Sequence, residues 1–75
     1  MTEYSERILG ILEPKIGHEL ALSALRIKCK KLGIALENIT ADKVPILADD
    51  LYEPLKIFAG EEFARTLTSQ IKAIA

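Results

Sequence analysis

The sequence has few of the residues that stabilise or identify specialised classes of protein. Its one cysteine, Cys29, cannot form a disulfide within the chain, so no oxidised framework holds the fold together. Tryptophan is absent and only two tyrosines and two phenylalanines occur, so the core must be built mainly from leucine, isoleucine and alanine. A composition of 49% hydrophobic and 28% charged residues excludes a disordered or collagen-like chain and indicates a small globular domain.

Net charge and long apolar runs are also scarce. The net charge is −1 at pH 7, so the chain as a whole is not drawn to nucleic acid or to an acidic membrane. Uncharged apolar runs fall short of the roughly 18 residues that a membrane-spanning helix needs. The acidic first residues lack the basic and apolar regions of a secretory signal. We therefore expect a cytoplasmic protein without a membrane partner.

Most of the sequence has helical periodicity, with apolar residues recurring at intervals of three and four. We predict one all-α domain over residues 1–75, with four helices at about 3–13, 15–32, 41–59 and 61–74. Pro14 should end or kink the first helix, Gly33 should end the second in a left-handed conformation, and Gly60 should break the run before the fourth. Thr40 is the predicted N-cap of the third helix, and Pro54 should bend that helix.

The third and fourth helices have the clearest apolar stripes, which we expect to face the core. In the third helix the stripe is Val44, Leu47, Ala48, Leu51, Leu55, Phe58 and Ala59. In the fourth it is Phe63, Ala64, Leu67, Ile71 and Ile74. Both sets follow the spacing of one face of an α-helix.

A short pattern occurs twice. Residues 17–21 and 60–64 both fit G-x-E-x-A, and the same offset of 43 residues aligns Ile8 with Leu51. Two helical hairpins related by a pseudo-twofold axis would produce this pattern, with each glycine allowing close approach of two helix backbones. The alternative is coincidence in a short chain that is rich in alanine, leucine and glutamate.

The second helix is unusual because apolar residues cover about two-thirds of its circumference, where a peripheral helix of a bundle needs about one third. One strip contains Ile16, Leu20, Ala24 and Ile27; the other contains Ala21, Leu22, Leu25, Cys29 and Leu32. Either this helix is central and packs against the three others, which we favour, or Leu22, Leu25 and Cys29 face another chain. Ile46 and Ile57, opposite the core stripe of the third helix, would extend the same interface.

The charges are distributed unevenly. Residues 14–36 carry five basic residues and one acid, whereas residues 37–62 carry seven acids and two lysines. Arg26, Lys28, Lys30 and Lys31 could bind phosphate or nucleic acid, but they do not form one continuous stripe on a helix. We therefore favour the interpretation that the basic and acidic segments complement each other, within the fold or across a dimer.

The sequence contains no recognisable catalytic or metal-binding motif. His18 and Cys29 are the only residues of their kinds, and about 16 Å of helix separates them, too far for a nucleophile pair or a shared metal. Asp49, Asp50 and Glu53 have the spacing of a solvated helix face, without the oxygen-rich loop of a calcium site. We predict no catalytic, cofactor or metal site. The predicted function is a non-enzymatic interaction module that binds itself or another protein; the alternative is a nucleic-acid-binding accessory protein.

Overall fold

A computed structural model describes residues 3–75 and contains four α-helices. They are α1 (Glu3–Ile16), α2 (His18–Lys31), α3 (Val44–Ala59) and α4 (Glu61–Lys72), and a short 3-10 helix (Leu36–Asn38) lies between α2 and α3. Helices α1 and α2 pack as one hairpin, and α3 and α4 pack as another. The hairpins meet where α2 packs on α3 and α1 packs on α4, which confirms the predicted four-helix fold.

One apolar core fills the space between the hairpins. The apolar residues that are entirely buried lie on one face of their helices, as the periodicity predicts: Ile8, Leu12, Ala21, Leu25, Val44, Leu47, Ala48, Leu51, Ala64 and Ile71. Ile39, in the connection between the hairpins, is also buried. The radius of gyration of 10.8 Å is near the value of about 11 Å expected for a compact domain of this length.

A single glycine joins the two helices of each hairpin, with nearly the same geometry in both. Gly17 has φ 84° and ψ 161°, and Gly60 has φ 92° and ψ 162°. The Gly17 amide donates to the Glu13 carbonyl and the Gly60 amide to the Lys56 carbonyl, each at 2.9 Å. The G-x-E-x-A pattern therefore marks two equivalent turns. The predicted reason for glycine was wrong, because a methyl group at either position would meet no atom within 4 Å; the requirement is the positive φ.

The boundary between the first two helices differs from the prediction. Helix α1 continues through Pro14 to Ile16, and α2 begins at His18 rather than near residue 15. Pro14 lies in the last turn of α1, where it removes one backbone donor without preventing the final bond from Gly17 to Glu13. The positive φ of Gly17, rather than the proline, ends the helix.

The end of α2 follows the prediction. Gly33 has φ 75°, and its amide donates to the Lys30 carbonyl at 3.0 Å. The next amide, of Ile34, donates to the Cys29 carbonyl at 3.0 Å, and these two bonds form a Schellman motif. Ile34 then packs against the core, which anchors the start of the connection to α3.

The predicted N-cap at Thr40 was wrong, since α3 begins four residues later at Val44. Thr40 instead begins a turn, in which its carbonyl accepts from the Lys43 amide at 2.9 Å. The Thr40 hydroxyl donates to the Asp42 carboxylate, and this bond lowers the pKa of Asp42. Pro45 has no amide hydrogen to donate to residue 41, so the regular helix starts beside the proline, which is tolerated in a first turn. The helix then continues through Pro54 to Ala59, and the bend expected there stays a prediction.

Two residues predicted for the core lie at the surface. Phe58 of α3 is 60% exposed and Phe63 of α4 is 47% exposed. Each lies at the edge of its helix's buried stripe rather than within it. The Phe63 ring is covered by Lys15, whose Nζ lies 4.9 Å from the ring centroid in a cation–π contact. Phe58 faces a groove between α2 and α3.

Candidate functional site

An apolar groove runs between α2 and α3, and we call it the α2–α3 groove. Its walls are formed by Leu20, Ala24 and Ile27 of α2 and by Pro54, Ile57 and Phe58 of α3, and its volume is about 410 Å³. The large side chains in these walls are strongly exposed: Leu20 45%, Ile27 62%, Ile57 81% and Phe58 60%. Apolar surface of this kind, gathered in one place, is characteristic of a binding surface.

Helical periodicity explains why the groove forms beside the core. Leu51 and Leu55 of α3 are buried and also line the groove, so the core supplies its floor. Phe58 follows Leu55 on the neighbouring arc of the same helix, and Ile57 lies further round towards solvent, so both stand above that floor. Pro54 adds an apolar ring to the wall, and it cannot donate to the carbonyl of Asp50.

The structure corrects the predicted role of the second helix. Helix α2 packs mainly on α1 and α3 rather than centrally against all three other helices. The strip that was the candidate partner interface, as the alternative to packing in the core, is the buried one: Leu25 is 0% exposed, Cys29 is 1% exposed, and Leu22 is half-buried. The strip containing Leu20 and Ile27 faces solvent instead. Apolar residues cover most of the surface of α2, but α1 and α3 pack on only one of its two apolar strips, so the other strip stays exposed.

The other two predicted interface residues separate in the structure. Ile57 lies in the wall of the α2–α3 groove. Ile46 is 42% exposed on the same helix and does not line the groove. Sequence reasoning missed Leu20, Ile27 and Phe58 as site residues, although the first two were recognised as members of an apolar strip. The apolar strip that contains Leu20 and Ile27, together with Ile57, was the sequence signal from which this site could have been predicted.

Charges of opposite sign lie on opposite walls of the groove. Lys28 lines the α2 side and Glu53 lines the α3 side. Ser23 is the other polar residue in the lining. The groove is therefore an apolar surface with one basic edge and one acidic edge.

The basic residues of α2 remain free of ion pairs within the described chain. Within residues 3–75, none of Arg26, Lys28, Lys30 and Lys31 lies within 4.0 Å of a carboxylate oxygen. The acidic segment makes one ion pair with another helix, from Asp49 of α3 to Lys72 of α4 at 2.7 Å. Charge pairing within the fold therefore does not account for the uneven distribution of charge along the sequence.

The two residues with the most reactive side chains lie in separate surroundings. Cys29 is a free, buried thiol, and burial raises its pKa, which disfavours the nucleophilic thiolate. His18 is exposed at the start of α2, where its Nδ1 lies 2.6 Å from Glu13 Oε2 across the Gly17 turn. Between residues 3 and 75, no group of three or more His, Cys, Asp or Glu side chains could hold a metal ion. That the chain has no catalytic, cofactor or metal site stays a prediction.

None of the helices in residues 3–75 combines the length and the apolar character that are needed to cross a lipid bilayer. Comparison of the chain with protein-family models, with curated proteins and with solved structures finds no match.

Proposed function

We propose that this chain is a small, non-enzymatic protein-interaction module that binds its partner in the α2–α3 groove. The observation that carries the proposal is the convergence of four exposed side chains, Leu20, Ile27, Ile57 and Phe58, on one groove. Removing such apolar surface from water favours association by about 25 cal/mol per Å² before the cost of ordering is subtracted. A groove between two helices suits the apolar side chains of another helix.

A photo-crosslinking experiment in cells tests this proposal. We expect a benzophenone amino acid at Ser23, which lines the groove, to yield a covalent adduct with a protein. The matched control places the same amino acid at Ser69, which is exposed on α4 and does not line the groove. Adding Ile57→Lys to the Ser23 probe should reduce the adduct by about tenfold or more, because a charge would enter the apolar contact.

The identity of the adduct does not affect this first test. An adduct with the same chain or with a different protein supports the groove as an interaction site. Absence of a protein adduct at Ser23, or equal adducts at Ser23 and Ser69, would show that the groove does not bind protein.

We further propose a reducing compartment such as the cytoplasm, because the chain has a single cysteine and so no internal disulfide. Disulfides are rare in that compartment, and a buried thiol remains reduced there. A protein of a reducing compartment must be stable without disulfides, and in this chain the apolar core stabilises the fold.

Nucleic-acid binding is the second candidate function, and it is favoured by the lack of ion pairs at the basic residues of α2 within residues 3–75. Arg26 and Lys30 also line one hollow of about 440 Å³ at the end of the helix, although Glu37 shares it. If this surface contacts phosphates, the logarithm of the association constant should fall linearly with the logarithm of the salt concentration. For duplex DNA the slope is about −0.9 for each phosphate contact.

A salt titration of binding to random duplex and single-stranded DNA distinguishes this candidate. The double variant Arg26→Gln, Lys30→Gln should reduce the steepness of the salt dependence by the contribution of about two phosphate contacts. Lys56→Gln on α3 should leave the slope unchanged. Undetectable binding at low ionic strength would exclude nucleic acid as the partner.

A further inference from the structure

We infer that the occupant of the α2–α3 groove is a second copy of this chain, in a two-fold symmetric dimer where α2 of each copy packs on α3 of the other. This inference rests on the proposed function of the groove and names its partner. Two observations favour a second copy over a foreign helix: the arrangement of charge along the two walls, and the amount of apolar surface that the groove exposes.

The charges of the two walls are complementary to each other. Lys28 lines the α2 wall, and Lys31 follows one turn later on the same side. Glu53 lines the α3 wall, and Asp50 precedes it by one turn. A two-fold axis that runs along the groove would place the α2 wall of one copy against the α3 wall of the other, so basic and acidic residues would face each other twice.

These charges are available for a partner. Within the described residues, neither Lys28 and Lys31 nor Asp50 and Glu53 make an ion pair in the folded chain. A foreign helix with one sign of charge would meet like charge at one of the two walls, which disfavours association. The groove therefore has the pattern of charge that its own copy complements.

The exposed apolar area also fits a dimer. The exposed parts of Leu20, Ile27, Ile57 and Phe58 amount to on the order of 500 Å² in one copy. Complete burial of these parts in two copies would remove about 1,000 Å² from water before the flanking charged residues are counted, which is near the lower limit for a specific interface. Interfaces of this size dissociate readily, so the dimer should depend on concentration.

Sedimentation equilibrium from about 10 µM to 1 mM tests this inference, and Ile57→Lys and Ile46→Lys form a matched pair. Both replace an exposed isoleucine of α3, but only Ile57 lines the groove. We expect the wild-type chain to approach the dimer mass. The dissociation constant should increase by about 30-fold or more for Ile57→Lys, as at an interface hot spot, and by less than about twofold for Ile46→Lys.

Charge reversal tests the two-fold arrangement itself. Lys28→Glu alone and Glu53→Lys alone should each weaken the dimer, because each makes the two facing walls alike in charge. A mixture of the two single variants should form a heterodimer, since the two substituted side chains would then face each other with opposite charges, as would the unchanged Glu53 and Lys28. The variant with both substitutions should also dimerise. Failure of the mixture to associate would overturn the proposed geometry.

The outcomes separate this inference from the function on which it rests. The chain could stay monomeric at 1 mM, roughly the highest dissociation constant of a weak complex, and still crosslink to a different protein through Ser23. That result would overturn the dimer and keep the groove as an interaction site. A monomer with no groove-specific adduct would overturn both. A dimer that Ile57→Lys leaves intact would show that another surface joins the two copies, and would also overturn the inference.

Discussion

Replacement of Leu25 by aspartate is expected to unfold the chain, whereas the same replacement of Ile27, two residues later in α2, should leave it folded. Leu25 is 0% exposed in the core, and Ile27 is 62% exposed in the wall of the α2–α3 groove. A carboxylate at position 25 would lose the burial of leucine and leave a charge without a partner, at a cost above about 4 kcal/mol. A domain of this size has a total stability of only about 4–11 kcal/mol.

Thermal and urea unfolding, followed by far-UV circular dichroism, measure both variants. Leu25→Asp should show little helix or a transition at much lower denaturant, while Ile27→Asp should change the free energy of unfolding by less than about 1 kcal/mol. A stable Leu25→Asp chain together with an unfolded Ile27→Asp chain would mean that α2 presents the opposite face to the core. That result would restore Leu25 and Cys29 as candidates for a partner interface.

The second large effect is expected at the two hairpin glycines. Gly17→Ala and Gly60→Ala should each destabilise the fold by about 1–3 kcal/mol, because a backbone with φ near 90° and ψ near 160° is almost restricted to glycine. A methyl group at these positions meets no atom within 4 Å, so the expected cost comes from the backbone alone. The two variants should agree closely, since the two turns share one geometry.

Gly10→Ala is the matched control for these variants. Gly10 lies in the interior of α1, is exposed, and has open space where a methyl group would lie. Its replacement should therefore stabilise the chain by about 0.5–1 kcal/mol, the usual difference between glycine and alanine in a helix. Urea denaturation of the three variants gives these values directly. A neutral Gly60→Ala would contradict the assignment of the turn conformation.

The proposed interaction module and its proposed dimer depend on the position of α2, which packs on α1 within its own hairpin and on α3 of the other. In a 75-residue chain the core is small, and each helix can cover only part of its neighbours. Covering the second apolar strip of α2 by another copy would remove surface that the four helices leave in water. Association and folding would then be coupled, so the midpoint of unfolding should rise with protein concentration.

Much of the local structure could be predicted from the sequence because the signals act over a few residues. Apolar periodicity predicted four helices, Gly33 predicted the end of α2, and the repeated pattern at Gly17 and Gly60 predicted two hairpins. The errors arose where two local signals compete. Thr40 is a favourable N-cap residue, but Pro45 favours a later start, and α3 begins at Val44. Pro14 is a possible end for α1, but the helix continues to Ile16 and ends at the Gly17 turn.

The sequence by itself therefore determined the class of fold, the helices and the glycine turns, and it showed that α2 has more apolar surface than one bundle uses. Only the tertiary structure decided which strip of α2 is covered and which is open. Both strips have similar composition, so the choice depends on where α1 and α3 pack rather than on residues within α2. That packing buries Leu25 and brings Ile27 beside Ile57 and Phe58 in one groove.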